Sequence, residues 1–139
     1  GDETDWLANA ANAASLLYHM LPEINWAGFY LYKNGQLVLG PFNGKPACVR
    51  IQMGKGVCGT AAQTGEIQVV EDVNLFPGHI ACDPASQSEI VLPIYQNGRL
   101  IGVLDIDSPV KGRFNSDDAE GLSAFIEILN QHIIWPEPD

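Results

Sequence analysis

The chain has 139 residues, of which 46% are hydrophobic and 17% are charged, and this length favours one domain, residues 1–139, with a substantial core. The composition excludes a disordered tail and a coiled coil, and no hydrophobic run approaches the ~20 residues that span a bilayer, so we expect no membrane partner. A net charge of −10 repels phosphate backbones, and we expect no nucleic acid partner. Three cysteines cannot all pair, and without an export signal we expect a cytoplasmic protein with reduced cysteines.

The first half of the chain alternates helical and strand patterns. A helix is predicted before Pro22, capped by Thr4 or Asp5, because residues at spacings of three and four are apolar: Leu7, Ala10, Ala14, Leu17 and Leu21. Strands at 26–32 and 36–39 flank Asn34-Gly35, a dipeptide typical of a tight hairpin turn. A short extended segment at 49–53, a short helix at 56–64 and a strand at 67–70 follow.

The second half begins with a long loop, 71–88, of the kind that carries function or is disordered. A second hairpin is predicted at 90–95 and 99–106, joined by Asn97-Gly98. A final helix starts at Asn115 or Ser116 and has an apolar stripe: Leu122, Phe125, Ile126, Leu129 and Ile133. The order of elements predicts an α+β domain, with a central antiparallel sheet and the terminal helices packed on one face.

A group of carboxylates marks the last hairpin. In the segment RLIGVLDID, strand alternation places four residues on one face: Ile101, Val103, Asp105 and Asp107. Either the strand emerges into solvent at Asp105, or the acids line a pocket that binds a cation or holds one carboxyl protonated. Glu89, at the start of the partner strand, favours the pocket, because crowded carboxyls raise one another's pKa and one can then donate a proton near neutral pH.

Two aromatic residues share a face of the first strand. Trp26 and Tyr30 lie four residues apart, with Gly28 between them. They either pack into an ordinary core or form an aromatic wall for a small ligand, with Gly28 making room.

The three cysteines lie in different settings. Cys82 is in the long loop, Cys48 is outside a regular element, and Cys58 begins the short helix, where the helix N-terminus favours a thiolate. Cys58 is alternatively a small buried hydrophobe, and Cys82 is alternatively a buried thiol or a zinc ligand with His79. A zinc site needs Cys48 and a fourth ligand from elsewhere, so we assign no metal.

Six segments, in this order and spacing, resemble the free methionine-(R)-sulfoxide reductases, a family of GAF-type domains that act as enzymes: NWAGFYLY, LGPFNGKPACVRI, GKGVCGTAA, EDVNLFPGHIACD, SEIVLPI and GVLDIDSP. The resemblance runs from Asn25 to the final helix. It implies a single GAF-like domain that reduces free L-methionine-(R)-sulfoxide to methionine without a cofactor. The family's additional N-terminal helical stretch is expected to be shortened or missing in this sequence, which bears on dimer contacts more than on chemistry, and a homodimer stays an expectation.

The resemblance also implies a thiol mechanism. Cys82 matches the catalytic cysteine, Cys48 the resolving cysteine and Cys58 an auxiliary one, and this replaces the positional preference for Cys58. In the implied cycle the Cys82 thiolate attacks the sulfoxide sulfur and is left as a sulfenic acid. Cys48 then closes a disulfide, which a thioredoxin-like dithiol protein reopens.

The remaining site residues implied by the resemblance bind the substrate. Glu89 or Asp107 protonates the departing oxygen, and Asp105 pairs with the substrate ammonium. Trp26 and Tyr30 hold the methyl group on sulfur, and backbone N–H groups of the 71–88 loop are expected to meet the substrate carboxylate. A non-catalytic GAF module that senses a small molecule or an oxidant is the alternative function, and an inert interaction domain comes third.

Overall fold

The computed structural model describes residues 3, 5–79 and 83–137. In chain order the elements are α1 (Trp6–Met20), β1 (Trp26–Lys33), β2 (Gln36–Gly44), β3 (Arg50–Gln52), α2 (Gly56–Thr64), β4 (Gln68–Val70), β5 (Ser88–Gln96), β6 (Arg99–Ser108) and α3 (Ser116–His132). A 3₁₀ turn, Val73–Leu75, lies in the long loop. Among the described residues, no helix is both long enough and hydrophobic enough to cross a membrane.

The six strands form one sheet in the order β3-β2-β1-β6-β5-β4, and each pair of neighbouring strands is antiparallel. Both Asn-Gly turns have positive φ at each residue, 51° and 80° at Asn34-Gly35 and 55° and 77° at Asn97-Gly98. These angles match the twist of a two-residue hairpin. They place β1 beside β2 and β5 beside β6, as the sequence predicts.

The helices divide between the two faces of the sheet. Buried residues of α1 and α3 share one apolar cluster with Phe29 and Leu104, whereas α2 packs into a second cluster with Val91 and Val103. The prediction of an α+β domain with the terminal helices on one face is therefore confirmed. The opposite face, covered by the nine-residue helix α2, is where the acidic side chains lie.

Helix caps fix where the terminal helices begin. The Asp5 carboxylate accepts hydrogen bonds from the N–H groups of Leu7 and Ala8 and starts α1. Asn115 starts α3 in a reciprocal capping box with Asp118, an arrangement that satisfies two otherwise unpaired donors. Of the alternatives in the sequence, Asp5 and Asn115 act as caps; Thr4 lies outside the described residues.

Two expectations from periodicity are wrong, and one predicted strand ends too early. Leu7 is 53% exposed, and the residues that α1 buries are Ala10, Ala13, Ala14 and Leu17. Strand β2 continues to Gly44, well beyond position 39. Ile101 belongs to the cluster on the α1/α3 face, not to the face of Asp105, because a register shift between Ile94 and Tyr95 leaves Ile101 without a direct partner and reverses the alternation at that point.

Candidate active site

Three carboxyl groups meet on the α2 face because of the sheet register. Glu89 of β5 lies directly opposite Asp107 of β6, and Asp107 lies opposite Trp26 of β1 on its other side. Directly paired residues have Cβ atoms about 5 Å apart, and Asp105 projects from the same face two residues earlier. Glu89 and Asp105 are buried, at 8% and 5% exposure, and Asp107 is half-buried. The acids thus line an interior space and do not mark a strand that emerges into solvent.

Helix α2 supplies a thiol to this cluster. Gly54 in the turn before the helix and Gly56, the first helical residue, have positive φ, 79° and 62°, conformations that glycine adopts without strain. Cys58 follows in the first helical turn and is buried. Its Sγ–H donates to Glu89 Oε2 at 3.9 Å, so the thiol lies against the carboxyl groups.

The environment of the cluster favours uncharged forms. Burial raises the pKa of Glu89, Asp105 and Asp107 well above the usual range, and each is raised further by the charge of a neighbouring carboxylate. Burial, followed by the charges of Asp105 and Glu89, also raises the pKa of the Cys58 thiol. The interpretation that the helix N-terminus makes Cys58 a thiolate is therefore wrong, because desolvation and three nearby carboxyls outweigh a helix dipole effect of about 1 kcal/mol.

The aromatic pair forms one wall of the site and part of the core. Trp26 and Tyr30 are stacked with ring centroids 5.9 Å apart, and Phe42 stacks on the other side of Trp26 at 5.2 Å. A Cβ at Gly28 would lie 2.3 Å from the Phe42 Cβ. The expectation that Gly28 makes room for a ligand is thus wrong: its missing side chain makes room for Phe42.

Both wall residues hold the loop that carries Cys48. Trp26 Nε1 donates to the carbonyl of Lys45 at 3.1 Å, and the Tyr30 hydroxyl donates to the carbonyl of Cys48 at 3.0 Å. Cys48 is disulfide-bonded, whereas Cys58 is free. The position predicted for Cys82 lies outside the described residues.

These groups surround one cavity between the sheet, the start of α2 and two loops. Its lining consists of Trp26, Tyr30, Lys45, Pro46, Ala47, Ile51, Lys55, Gly56, Val57, Cys58, His79, Asp83, Ser86, Glu89, Asp105 and Asp107. All of the predicted carboxyl and aromatic residues are included. Sequence analysis missed Lys45 and Lys55; the only signal for them was their position beside glycines in NGKP and GKG.

The end of the long loop is fastened beside the cavity. Asn25 Nδ2 donates to Asp83 Oδ2 at 3.2 Å and to Ser86 Oγ at 3.1 Å. His79 lines the cavity too, and partial burial lowers its pKa, which favours the neutral imidazole. Among the described residues, the group with suitable geometry for a metal ion is Cys58, Glu89 and Asp105, so His79 does not belong to it.

Comparison with known proteins connects this architecture to a family. The family model described as "GAF domain" matches residues 6–133. The Bacillus subtilis protein YtsP is 65% identical over 94% of this chain and 81% of its own length. The Escherichia coli free methionine-R-sulfoxide reductase is 57% identical over 93% of this chain and 78% of its own length. The free methionine-R-sulfoxide reductase of Neisseria meningitidis, solved in complex with its substrate, superposes with a TM-score of 0.91 at 47% identity, covering 94% of this chain and 79% of that one.

Proposed function

Because the chain belongs to the GAF-domain family and, within it, to the free methionine-R-sulfoxide reductases, which are oxidoreductases, we propose that it reduces free methionine-(R)-sulfoxide to methionine. The observation that carries the proposal is the buried cluster of Glu89, Asp105 and Asp107 beside the stacked Trp26 and Tyr30. The cluster provides both a cation-binding group and a proton donor, next to an apolar wall.

Asp105 is the proposed partner of the substrate ammonium. Its side chain is buried, and Oδ1 has no hydrogen-bond partner among the described residues. A buried carboxylate oxygen without a donor is unfavourable, and an ammonium group supplies both the donor and the charge. The α-nitrogen of a peptide-bound residue is a neutral amide, so this pairing favours the free amino acid.

Glu89 or Asp107 is the proposed proton donor. Burial and the neighbouring carboxylate charges raise the pKa of both groups, which favours the protonated acid that a proton donor requires. The sulfoxide oxygen must be protonated to leave sulfur readily, and a carboxylic acid positioned at the cavity wall provides that proton.

The proposed redox step uses Cys82 and Cys48. The Cys82 thiolate bonds to the sulfoxide sulfur, and the oxygen takes the carboxyl proton. The hydroxyl group then passes to Cys82 as the S–O bond and the new S–S bond break, which leaves Cys82 as a sulfenic acid and releases methionine. The Cys48 thiol then displaces water from the sulfenic acid and forms a disulfide. The hydrogen bond from Tyr30 to the Cys48 carbonyl supports a fixed position for this resolving cysteine. Two electrons from a thioredoxin-like dithiol protein restore both thiols, and we propose that the cycle runs in the reducing cytoplasm.

The carboxylate of the substrate is proposed to face the start of α2, and this assignment replaces the backbone of the 71–88 loop expected from the sequence. Lys45 and Lys55 line the cavity together with Gly56 and Val57, and the first N–H groups of a helix have no partner within it. Cationic side chains and the start of α2 thus line the same cavity as the acidic cluster. The arrangement suits an amino acid zwitterion better than a group of one charge.

The test is methionine release from the purified protein with a dithiol reductant, together with a thiol count after adding free methionine-(R)-sulfoxide alone. With the reductant we expect repeated turnover; without it we expect one equivalent of methionine and the loss of two thiols per chain. Unchanged thiols and no methionine would instead favour a non-catalytic GAF sensor module. An analytical centrifugation run on the same sample tests the homodimer, which stays a prediction.

A further inference from the structure

The acidic cluster and Cys58 together have the geometry of a metal site. Cys58 Sγ, one oxygen of Glu89 and one oxygen of Asp105 all lie within 4.8 Å of one another, and the three residues are buried. Sγ and Glu89 Oε2 are 3.9 Å apart. Donor atoms around a tetrahedral zinc ion, bound at 2.0–2.3 Å, are about 3.6 Å apart. Cys58 and Glu89 therefore need to approach each other by only a few tenths of an ångström, and the Asp105 oxygen needs to come closer to each of them by at most about 1.2 Å.

A second observation points to a cation at the same place. Asp105 is 5% exposed and lines the cavity, and its Oδ1 has no hydrogen-bond partner in the described part of the chain. The neighbouring Asp107 has an unpartnered Oδ1 as well. Both residues line the cavity, and a cation bound between them would satisfy their unpartnered oxygens.

The donor set determines which cations fit. A thiolate selects Zn²⁺ or Cd²⁺ over Mg²⁺ and Ca²⁺, which prefer oxygen ligands alone. We propose that Cys58, Glu89 and Asp105 form an inhibitory site for a thiophilic divalent cation, with its fourth position open to the cavity. Binding releases the thiol proton and any carboxyl protons to solvent. The ion is not a cofactor of the proposed reaction.

Occupation of this site excludes the substrate. The ion takes the two carboxylates that we assign to the substrate ammonium and to proton donation, so it competes with free methionine-(R)-sulfoxide. This consequence rests on the proposed function, whereas the binding site itself does not. The regulation is reversible, because a chelator removes the ion and leaves all three cysteines unmodified.

The binding test uses Co²⁺ added anaerobically to the reduced protein. We expect one equivalent to bind and to produce a near-ultraviolet sulfur-to-cobalt charge-transfer band, which Zn²⁺ then abolishes. Cys58→Ser should lose the band, whereas a Cys48→Ser/Cys82→Ser double variant should keep it. A band that persists in Cys58→Ser, or that disappears in the double variant, places the metal on the other two cysteines and overturns the proposal.

A carboxylate variant makes the test independent of the cysteine substitutions. Glu89→Gln should weaken Co²⁺ binding at least about tenfold. Even the loss of a residue that only hydrogen-bonds to a metal ligand lowers metal affinity roughly 10- to 100-fold. The matched control is Glu66→Gln, because Glu66 is an exposed acid outside the cavity. Equal affinities for the two variants would contradict the site.

Kinetics separate this inference from the proposed function. Zn²⁺ should raise the apparent KM for free methionine-(R)-sulfoxide and leave kcat unchanged. If the protein reduces the substrate but shows no Cys58-dependent band, the metal site is refuted and the function stands. If the band appears without reductase activity, the function is refuted and the site stands. A fall in kcat at constant KM would refute competition.

Discussion

The substitution Asp105→Asn separates the proposed binding function of the acidic cluster from the effect of that cluster on stability. The asparagine side chain has nearly the same size but carries no charge, so it leaves the cavity shape intact. Losing one partner of a buried charge pair costs about 3–5 kcal/mol, which corresponds to a factor of several hundred or more in binding. We therefore expect kcat/KM for free methionine-(R)-sulfoxide to fall several hundred-fold.

The same variant should be more stable than the wild type at neutral and alkaline pH. Burial, followed by the charge of Asp107, raises the pKa of Asp105 in the folded chain. The folded state then binds more protons than the unfolded state, so the free energy of unfolding falls as the pH rises from the unfolded pKa through the folded pKa. Asparagine abolishes this loss, and each 1 kcal/mol regained raises Tm by about 3–5 °C in a domain of this size.

The assay combines thermal melts with steady-state kinetics. The gain in Tm should be largest near about pH 8 and should shrink toward about pH 4, where Asp is protonated in the unfolded chain as well. Glu66→Gln is the control, because it removes one exposed acid and should leave both Tm and kcat/KM nearly unchanged. An Asp105→Asn variant with wild-type kcat/KM and a lower Tm at alkaline pH would refute the reasoning.

Three further predictions test other parts of the proposed mechanism. Cys82→Ser should abolish turnover, Cys48→Ser should release one equivalent of methionine and then recycle slowly, and Cys58→Ser should lower turnover the least. An inactive Cys58 variant beside an active Cys82 variant would reverse these assignments. The profile of kcat/KM over roughly pH 5–10 should be bell-shaped, because activity needs one ionised thiol and one protonated carboxyl, and chelators should not lower it; activity lost with a chelator and restored by zinc would require a resident metal. Gly28→Ala should destabilise the fold by about 1–3 kcal/mol, because its Cβ would lie 2.3 Å from a β2 side-chain atom. Gly121→Ala, with open space around it in α3, should stabilise the fold by about 1 kcal/mol, and equal melting temperatures of the two variants would contradict the close approach of β2 to Gly28.

The fold could be predicted where local chemistry determines it. The two Asn-Gly turns require positive φ, and this requirement fixes both hairpins before any tertiary contact is known. Periodicity failed where the sheet is irregular. The register shift at Ile94 and Tyr95 is a tertiary feature, and nothing in the apolar pattern of β6 shows that Ile101 faces the terminal helices.

The site could be predicted where strand alternation and a hairpin turn determine it. Alternation identifies Asp105 and Asp107 as neighbours on one face, and the hairpin turn brings Glu89 opposite them. The approach of α2 to that face is a long-range contact, so the sequence did not show that Cys58 lies against the carboxyls. Local position therefore indicated a reactive thiol, whereas the assembled fold raises its pKa.

The central claim, that the buried acids bind the ammonium of a free amino acid, is tested most directly by substrate choice. The measurement is kcat/KM for free methionine-(R)-sulfoxide against its N-acetyl derivative, whose nitrogen is a neutral amide. The value for the N-acetyl derivative should be lower by a factor of several hundred, which corresponds to about 3–5 kcal/mol, and Asp105→Asn should largely remove that preference. Comparable values for the two substrates in the wild-type protein would contradict the claim.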